Sequence, residues 1–172
     1  MQSSQPQYNI RLATLADQPS ILEIYNDAVL GLTASYDYEP RSMQDQNAWF
    51  QERQSSGWPV LVATPREHAD RVLGWGALSQ FRPRPGYRFT GETTVYVHKE
   101  VRGRGLGGLI LPALVEAGRQ KGLHALIAAV DADNFASLRI HERCGFEIVG
   151  GMHEIGRKFD RWLDITWLQM ML

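Results

Sequence analysis

Residues 95–108 read VYVHKEVRGRGLGG, a β-like apolar run followed by a loop in which glycine is interleaved with arginine. Apolar residues then recur at helical spacing from Leu109 to Ala117, and Gly122 is suited to end the helix. Glycine between a strand and a helix lets backbone N–H groups approach an anion, and the helix N-terminus adds partial positive charge. The stretch therefore predicts a strand, a loop suited to bind a diphosphate, and a helix.

The same glycines allow other interpretations. Gly103, Gly105 and Gly108 spell G-x-G-x-x-G, and Asp131 ends the next apolar run, as in dinucleotide-binding proteins. Against that hypothesis, too few residues follow Asp131 for a second three-strand half, and the first glycine does not directly follow the strand. A nucleotide triphosphatase is disfavoured because no G-K-[ST] follows the loop. The structural alternative is a turn that only packs the helix against the sheet.

Hydrophobic periodicity on both sides of this stretch predicts further strands and helices. Upstream lie a strand at 9–13, helices within 14–31 and 42–57, and a hairpin formed by 60–64 and 72–79. Downstream lie a buried strand at 125–130, a helix at 134–144, and closing strands at 146–152 and 162–171. An antiparallel front half joined to a β-α-β centre predicts an α/β domain with a mixed sheet.

Length and charge exclude several classes of protein. The 172 residues suffice for one domain, 1–172, with an ordered core from about residue 8. The 18 Lys and Arg residues nearly balance 19 Asp and Glu residues, so no positive field favours nucleic acid. No apolar stretch could cross a bilayer, and the N-terminal residues do not resemble a signal peptide. We therefore expect a cytoplasmic protein with no nucleic-acid or membrane partner.

Two motifs resemble those of the GCN5-related N-acetyltransferase (GNAT) superfamily. The first has the core R/Q-x-x-G-x-G/A, which Arg102, Gly105 and Gly107 match. The second is an asparagine, here Asn134, followed by a helix that ends in Gly-Phe at residues 145–146. The resemblance implies a mostly antiparallel central sheet flanked by helices, with acetyl-CoA as the co-substrate.

Three further stretches narrow the resemblance. Residues 24–29, 92–97 and 158–164 are similar to the phosphinothricin and methionine sulfoximine acetyltransferase branch. This branch implies an N-acetyltransferase that modifies the α-amine of a small amino acid and forms a homodimer. Alternatives that the sequence leaves open are acetylation of a protein N-terminus, a polyamine or an antibiotic, and a sensor that holds acyl-CoA without turnover.

The resemblance assigns the acetyl-CoA site residue by residue. Backbone groups of the strand at Val95, Tyr96 and Val97 are implied to meet the pantetheine arm and the acetyl group. The rest of the predicted cofactor site is formed by the loop and two helix starts, and comprises Arg102, Gly103, Arg104, Gly105, Leu106, Gly107, Gly108, Asn134 and Ser137.

Two residues are candidates for catalysis. Transfer to an amine needs a proton acceptor, because an α-ammonium is largely protonated at neutral pH, and Glu92 at the start of the strand is the candidate base. Its alternative is a solvated carboxylate at a strand end. The resemblance places His141 where many relatives carry a tyrosine acid. The alternative role for His141 is that of a packed or CoA-contacting residue. Direct transfer of the acetyl group is expected, because no nucleophile is evident that could form an acetyl-enzyme.

A small amino acid with a carboxylate and a polar head requires cations and hydroxyl groups in its site. Residues 82–88 hold three arginines, any one of which could equally be a solvated cation. The predicted substrate site comprises Tyr36, Arg82, Pro83, Arg84, Glu92, Thr93 and Thr94. Many relatives carry a histidine where Thr93 stands, so the choice of substrate stays open. No metal is predicted, because the histidines and Cys144 lack metal-ligand spacing.

Overall fold

The computed structural model describes residues 7–172, and its elements follow the predicted order. The strands are β1 (Tyr8–Leu12), β2 (Val60–Pro65), β3 (Gly74–Gln80), β4 (Thr90–Val97), β5 (Ala125–Asp131), β6 (Glu147–Lys158) and β7 (Arg161–Met171). The helices are α1 (Gln18–Gly31), α2 (Met43–Ser55), α3 (Gly107–Gln120) and α4 (Phe135–Cys144). Among the described residues, none of the helices has the length and apolar character needed to cross a membrane.

The strands found in residues 7–172 form one seven-stranded sheet in the order β1-β2-β3-β4-β5-β7-β6. Every neighbouring pair is antiparallel except β4 and β5. The exception arises because α3 carries the chain from the end of β4 back to the start of β5, as a parallel connection requires. The mixed, mostly antiparallel sheet confirms the predicted fold class.

Helices cover both faces of this sheet. On one face α1 and α2 pack over β2 and β3, where Ile24 and Trp75 belong to one buried cluster. On the other face α3 packs over the centre of the sheet, with Leu114 and Leu126 in a second cluster. This helix lies so close to β3 that a Cβ on Gly76 would come within 2.7 Å of Leu114 Cδ1. Only glycine permits that approach, which brings the start of α3 close to β4.

Side-chain caps explain where two helices begin. Ser42 Oγ accepts a hydrogen bond from the Asp45 amide at 3.1 Å at the start of α2. Asn134 Oδ1 accepts from the Ser137 amide at 3.1 Å at the start of α4. Such caps satisfy amides that have no partner inside the helix. Gly145 ends α4 with a φ of 99°, a left-handed conformation that glycine adopts without strain.

Two predicted boundaries differ from the structure. β6 extends over Glu147–Lys158 rather than residues 146–152, because β7 continues to pair with it through two register irregularities that the polar, glycine-rich sequence does not reveal. The first helix begins at Gln18, since Thr14 and Asp17 form their capping box around the short 3₁₀ turn Leu15–Asp17. Tertiary pairing and capping, rather than periodicity, set these ends.

β4 and β5 are paired only near their starts. The parallel register joins residues 90–92 to residues 125–127. Beyond that point β5 continues to pair with β7 as far as Asp131, while β4 stays paired with β3. The remaining part of β4, residues 93–97, therefore lacks a strand partner on the side that faces β5. This separation positions the candidate site.

Candidate active site

Two adjoining cavities lie where β4 and β5 separate. The larger, of about 580 Å³, lies between β4, the glycine loop and α4. The smaller, of about 290 Å³, lies between β4, β5 and the loop after α1. The cavities share a wall, and the residues that line both are Thr33, Ala34, Val95, Tyr96, Asn134 and Ser137. A molecule in one cavity can therefore reach a molecule in the other.

The glycine loop lines the larger cavity with free backbone amides. Gly103 and Gly105 have φ angles of 76° and 82°, in the left-handed region. The amides of Gly103, Gly105 and Leu106 donate to no backbone oxygen within residues 7–172. Gly107 and Gly108, the first residues of α3, line the same cavity and bring the positive end of the helix to it. Free amides at a helix N-terminus fit a diphosphate.

Arg102 lines the larger cavity, but the protein itself holds its guanidinium. Nε donates to the Val97 carbonyl oxygen at 3.1 Å. Nη2 donates to the carboxylate of Asp27 on α1. Arg102 therefore links the glycine loop to β4 and α1. The sequence predicted Arg102 as a diphosphate contact and gave no sign of these two bonds. Arg104 lines neither cavity.

β4 and α4 contribute facing walls to the larger cavity. Val95, Tyr96 and Val97 line it from the part of β4 that has no partner towards β5. Asn134 and Ser137 line it from the start of α4. An unpaired strand edge presents both N–H and C=O groups, so an extended chain that carries amides can pair with it. This arrangement fits the pantetheine arm of a coenzyme A.

Glu92 lines the smaller cavity and is the last residue of β4 that pairs with β5. Burial raises the pKa of its carboxyl, and the positive charge of Arg82 opposes that shift. A carboxylate with a raised pKa is a stronger proton acceptor, which is what removal of a proton from an ammonium requires. The position and electrostatics of Glu92 thus suit a general base.

His141 is buried on α4 beside the smaller cavity. Its Nδ1 lies 2.8 Å from the Ser137 carbonyl oxygen, and its Nε2 lies 3.4 Å from Thr93 Oγ1. A carbonyl oxygen only accepts, so we assign a ring hydrogen to Nδ1. Nε2 faces the Thr93 hydroxyl, whose single hydrogen can go either to Nε2 or to the Ile127 carbonyl oxygen, which also lies 3.4 Å away. Burial lowers the pKa of His141, and the Ser137 hydrogen bond opposes that shift. A neutral ring in this tautomer is poorly suited to protonate a thiolate.

Tyr36, which the sequence predicts as a substrate residue, lines the smaller cavity from the loop that follows α1. Burial raises the pKa of its phenol, and the negative charges of Asp131 and Asp164 add to the shift. The hydroxyl is buried and has no hydrogen-bond partner among residues 7–172. Tyr36 therefore brings to the site a neutral phenol whose hydroxyl is left free by the described residues to bind a ligand.

The other predicted substrate residues fall into two groups. Thr93 and Thr94 line the smaller cavity from β4. Arg82, Pro83 and Arg84 are exposed and line neither cavity. Within this second group, the charge of Arg82 acts on the carboxyl of the candidate base. The structure thus brings the threonines to the cavity and leaves the arginine loop outside its walls.

Several residues that line the smaller cavity were not predicted from the sequence. Except for Asp131 they are small or apolar, and they lie on β5, β7 and the loop after α1, namely Thr33, Ala34, Ser35, Ala128, Ala129, Val130, Asp131 and Ile165. Alanine and valine in an apolar run indicate a buried strand and carry no signal of a site. Only Asp131 stood out by its chemistry, and the sequence pattern assigned it to a competing dinucleotide hypothesis.

The fold and the two cavities define a transferase with two substrates, one an acyl-CoA and the other a small polar molecule. Residues 19–146 match the family model described as the acetyltransferase (GNAT) family. The chain therefore belongs to the GNAT family of acetyltransferases.

Individual relatives agree with this assignment. The chain is 46% identical over 164 residues to an L-methionine sulfoximine/L-methionine sulfone acetyltransferase of Pseudomonas paraeruginosa, covering 95% of this chain and 94% of that protein. It is 34% identical to a phosphinothricin N-acetyltransferase of Streptomyces coelicolor, covering 95% of both. An acetyltransferase structure from Salmonella typhimurium with its cofactor acetyl-CoA has a TM-score of 0.92 at 37% identity, covering 97% of this chain and 95% of that chain.

Proposed function

We propose that this chain transfers the acetyl group of acetyl-CoA to the α-amino group of a small polar amino acid such as methionine sulfoximine, methionine sulfone or phosphinothricin. The observation that carries the proposal is that a cavity of about 290 Å³ with Glu92 on its wall joins the larger, loop-lined cavity. This volume is at the small end for ligand sites, which suits one amino acid better than a peptide or an antibiotic.

A neutral amine attacks the thioester carbonyl carbon of bound acetyl-CoA. The C–S bond breaks as the C–N bond is completed, and CoA leaves as a thiolate that takes up the second proton lost by the nitrogen or a proton from solvent. The free amides of the glycine loop and the unpaired edge of β4 hold the cofactor in the larger cavity. Glu92 accepts a proton from the ammonium of the amino acid, directly or through one water molecule. Backbone N–H groups on the unpaired part of β4 hold the negative charge that develops on the carbonyl oxygen. His141 contributes by orienting Thr93 on the cavity wall.

The polar groups of the amino acid require their own partners. The Tyr36 hydroxyl, which has no hydrogen-bond partner among residues 7–172, faces the smaller cavity, and Thr93 and Thr94 line the same cavity. We assign the substrate carboxylate to residues 82–84, where exposed Arg82 and Arg84 provide positive charge. Arg82 is near enough to influence the pKa of Glu92, which supports a place for it beside the reacting amine.

A second copy of this chain is the proposed partner. β6 is the last strand of the sheet, and one of its edges has no strand partner within residues 7–172. Apolar side chains of β6 and β7 are exposed there, namely Ile148, Val149, Met152, Ile155 and Trp162. Exposed apolar side chains on an edge strand are typical of an interface. Sedimentation velocity tests this: a dimer is expected, with Val149→Lys shifted towards monomer, and a monomeric wild-type chain would contradict it.

Location and cofactor requirements stay predictions from the sequence. The nearly balanced charge supports an enzyme without a nucleic-acid partner, and a cytoplasmic location without a membrane partner stays the expectation from the sequence pattern. In the described part of the chain, no group of three or more His, Cys, Asp or Glu side chains is arranged to hold a metal ion. We expect activity to be unchanged after treatment with a chelator, and a loss that a divalent metal restores would contradict the metal-free mechanism.

Release of free thiol from acetyl-CoA tests the proposed function directly. The panel contains methionine sulfoximine, methionine sulfone, phosphinothricin, the common amino acids, polyamines and a peptide with a free N-terminus. We expect turnover with the first three compounds and little with polyamines or the peptide. Silence on every amino acid would overturn the proposal. Acetyl-CoA, and not NAD(H), is expected to raise the melting temperature.

A further inference from the structure

Lys158 is the last residue of β6, and its buried ammonium is hydrogen-bonded to the segment that follows α1. The residue is only 4% exposed. Its Nζ donates to the carbonyl oxygens of Leu32 at 2.8 Å and Ser35 at 2.6 Å. The salt bridges within residues 7–172 do not include this ammonium. A buried cation is costly unless it is hydrogen-bonded, so these two carbonyls stabilise it, together with the Phe159 ring, whose centroid lies 5.1 Å from Nζ.

The segment that this ammonium holds, residues 32–35, forms the wall shared by both cavities. Leu32 lines the larger cavity, Ser35 lines the smaller, and Thr33 and Ala34 line both. The Tyr96 hydroxyl donates to the Ala34 carbonyl oxygen at 3.1 Å. The Leu32 amide donates to the Ala28 carbonyl oxygen at 2.9 Å and so ties the start of the segment to α1. Beyond Leu32 the segment lies outside any helix or strand, so the position of this part of the wall depends on the side-chain donors.

The two residues before Lys158 support the continuation of the same loop. The Tyr36 ring lies over Gly156, where a Cβ would come within 2.3 Å of the ring. The Tyr38 hydroxyl donates to the Arg157 carbonyl oxygen at 2.6 Å. Three consecutive residues of β6, Gly156 to Lys158, therefore contact the loop that lines the smaller cavity.

The hairpin that follows holds Lys158 in place. Lys158 pairs with Arg161 across β6 and β7, so only Phe159 and Asp160 connect the strands. Both connecting residues are left-handed, with φ angles of 51° and 58°. A tight two-residue turn of this kind requires positive φ at both positions, and a bulky residue such as phenylalanine adopts it rarely. This left-handed turn directly follows Lys158, whose ammonium is buried.

We propose that Lys158 is a positioning residue of the acetyltransferase site, whose ammonium fixes the wall at residues 32–35 and so sets the affinity of both cavities together. Lys158 lines neither cavity and acts through the backbone of Leu32 and Ser35. For the amino acid, the inference rests on the proposed function. For acetyl-CoA it does not, because acetyl-CoA binding can be measured without an acceptor.

The test compares three variants of the full chain. Lys158→Met keeps an unbranched side chain but removes the ammonium, and Lys158→Arg restores a cation with several donors. Lys121 supplies the matched control, because its Nζ also donates to two backbone carbonyls, those of Ser56 and Gly57, at 3.4 and 2.8 Å. Lys121→Met removes the same kind of contact at a place that lines neither cavity.

Calorimetry measures the acetyl-CoA dissociation constant, and steady-state kinetics measure the KM for methionine sulfoximine. We expect Lys158→Met to raise both by about tenfold, as loss of hydrogen bonds to a charged group suggests. The Lys158→Arg variant should recover part of the loss, and Lys121→Met should leave both constants unchanged. A folded Lys158→Met chain with wild-type values for both constants would overturn the proposal.

Failure to fold is also informative. If Lys158→Met does not fold, Lys158→Gln, whose amide can still donate to one carbonyl, is measured in the same way. A chain that folds with neither substitution overturns the inference, because Lys158 would then be needed for folding itself. If the wild-type chain acetylates no amino acid, the proposed function fails, but the acetyl-CoA dissociation constant still tests the role of Lys158.

Discussion

The Nδ1 atom of His141 lies 2.8 Å from the carbonyl oxygen of Ser137, one turn earlier in α4. This contact assigns the ring hydrogen to Nδ1 and leaves Nε2 facing the Thr93 hydroxyl at 3.4 Å. Burial lowers the pKa of the imidazole and so favours its neutral form, although the hydrogen bond to Ser137 opposes this shift. The geometry therefore fits a histidine packed in the wall of the smaller cavity better than a proton donor.

His141 makes the stability of the protein sensitive to acid. Burial lowers its pKa below the ordinary value of 6.5. Its contribution to the free energy of unfolding is therefore fully present above pH 6.5 and is lost as the pH falls towards the lower pKa of the folded state. We expect thermal melts between pH 5 and 8 to show a weaker acid dependence for His141→Gln than for the wild type. The exposed His124→Gln is the control, and an equal change there would contradict the assignment.

Glu92 should control the chemical step without controlling cofactor binding. Because a general base contributes about 10²- to 10⁴-fold, Glu92→Gln is expected to lower kcat by at least about 100-fold. The acetyl-CoA dissociation constant, measured by calorimetry, should be unchanged. The surface carboxylate variant Glu100→Gln, which loses contacts with Arg71 and His98 outside both cavities, should keep wild-type kcat. Normal turnover by Glu92→Gln would remove it from the mechanism.

The pH dependence of kcat/KM should depend on the positive charge of Arg82. Burial raises the pKa of Glu92, so activity is expected to fall as the pH drops through that raised value and the base becomes protonated. Arg82 opposes the shift, and Arg82→Gln should therefore move the acid limb of kcat/KM to higher pH. Arg84→Gln is the matched control for this limb. High salt should reduce the difference, and an unmoved limb in Arg82→Gln would argue against the electrostatic link.

The glycine loop allows a backbone effect to be separated from a steric one. A Cβ at Gly105 or Gly86 would meet no atom within 4 Å, but of the two only Gly105 is left-handed, with a φ of 82°. A left-handed alanine costs about 1–2 kcal/mol, so Gly105→Ala should weaken acetyl-CoA binding about tenfold. The Gly86→Ala variant, at a position that lines neither cavity, should bind normally in the same titration. Equal effects at both positions would indicate that conformation is not the cause.

Much of the site could be predicted because its signals are local. The glycine loop, the start of α3 and the strand with Glu92 lie in one continuous stretch of sequence, and all of them line the cavities. The arginines of residues 82–84 carried an equally clear chemical signal, yet they lie outside both cavities. Residue type indicates what a side chain can bind, whereas burial and direction depend on how the loop folds.

The sequence by itself determined the order of strands and helices, because hydrophobic periodicity and capping act over a few residues. It also determined the glycine loop, since glycine adopts without strain the left-handed conformations found at Gly103 and Gly105. Tertiary structure alone decided how far β4 and β5 separate and which distant residues hold the site. Ser35 and Lys158 are 123 positions apart in the chain, and their hydrogen bond forms only when β6 packs beside the loop after α1. Such contacts depend on the packed sheet and leave no pattern in local sequence.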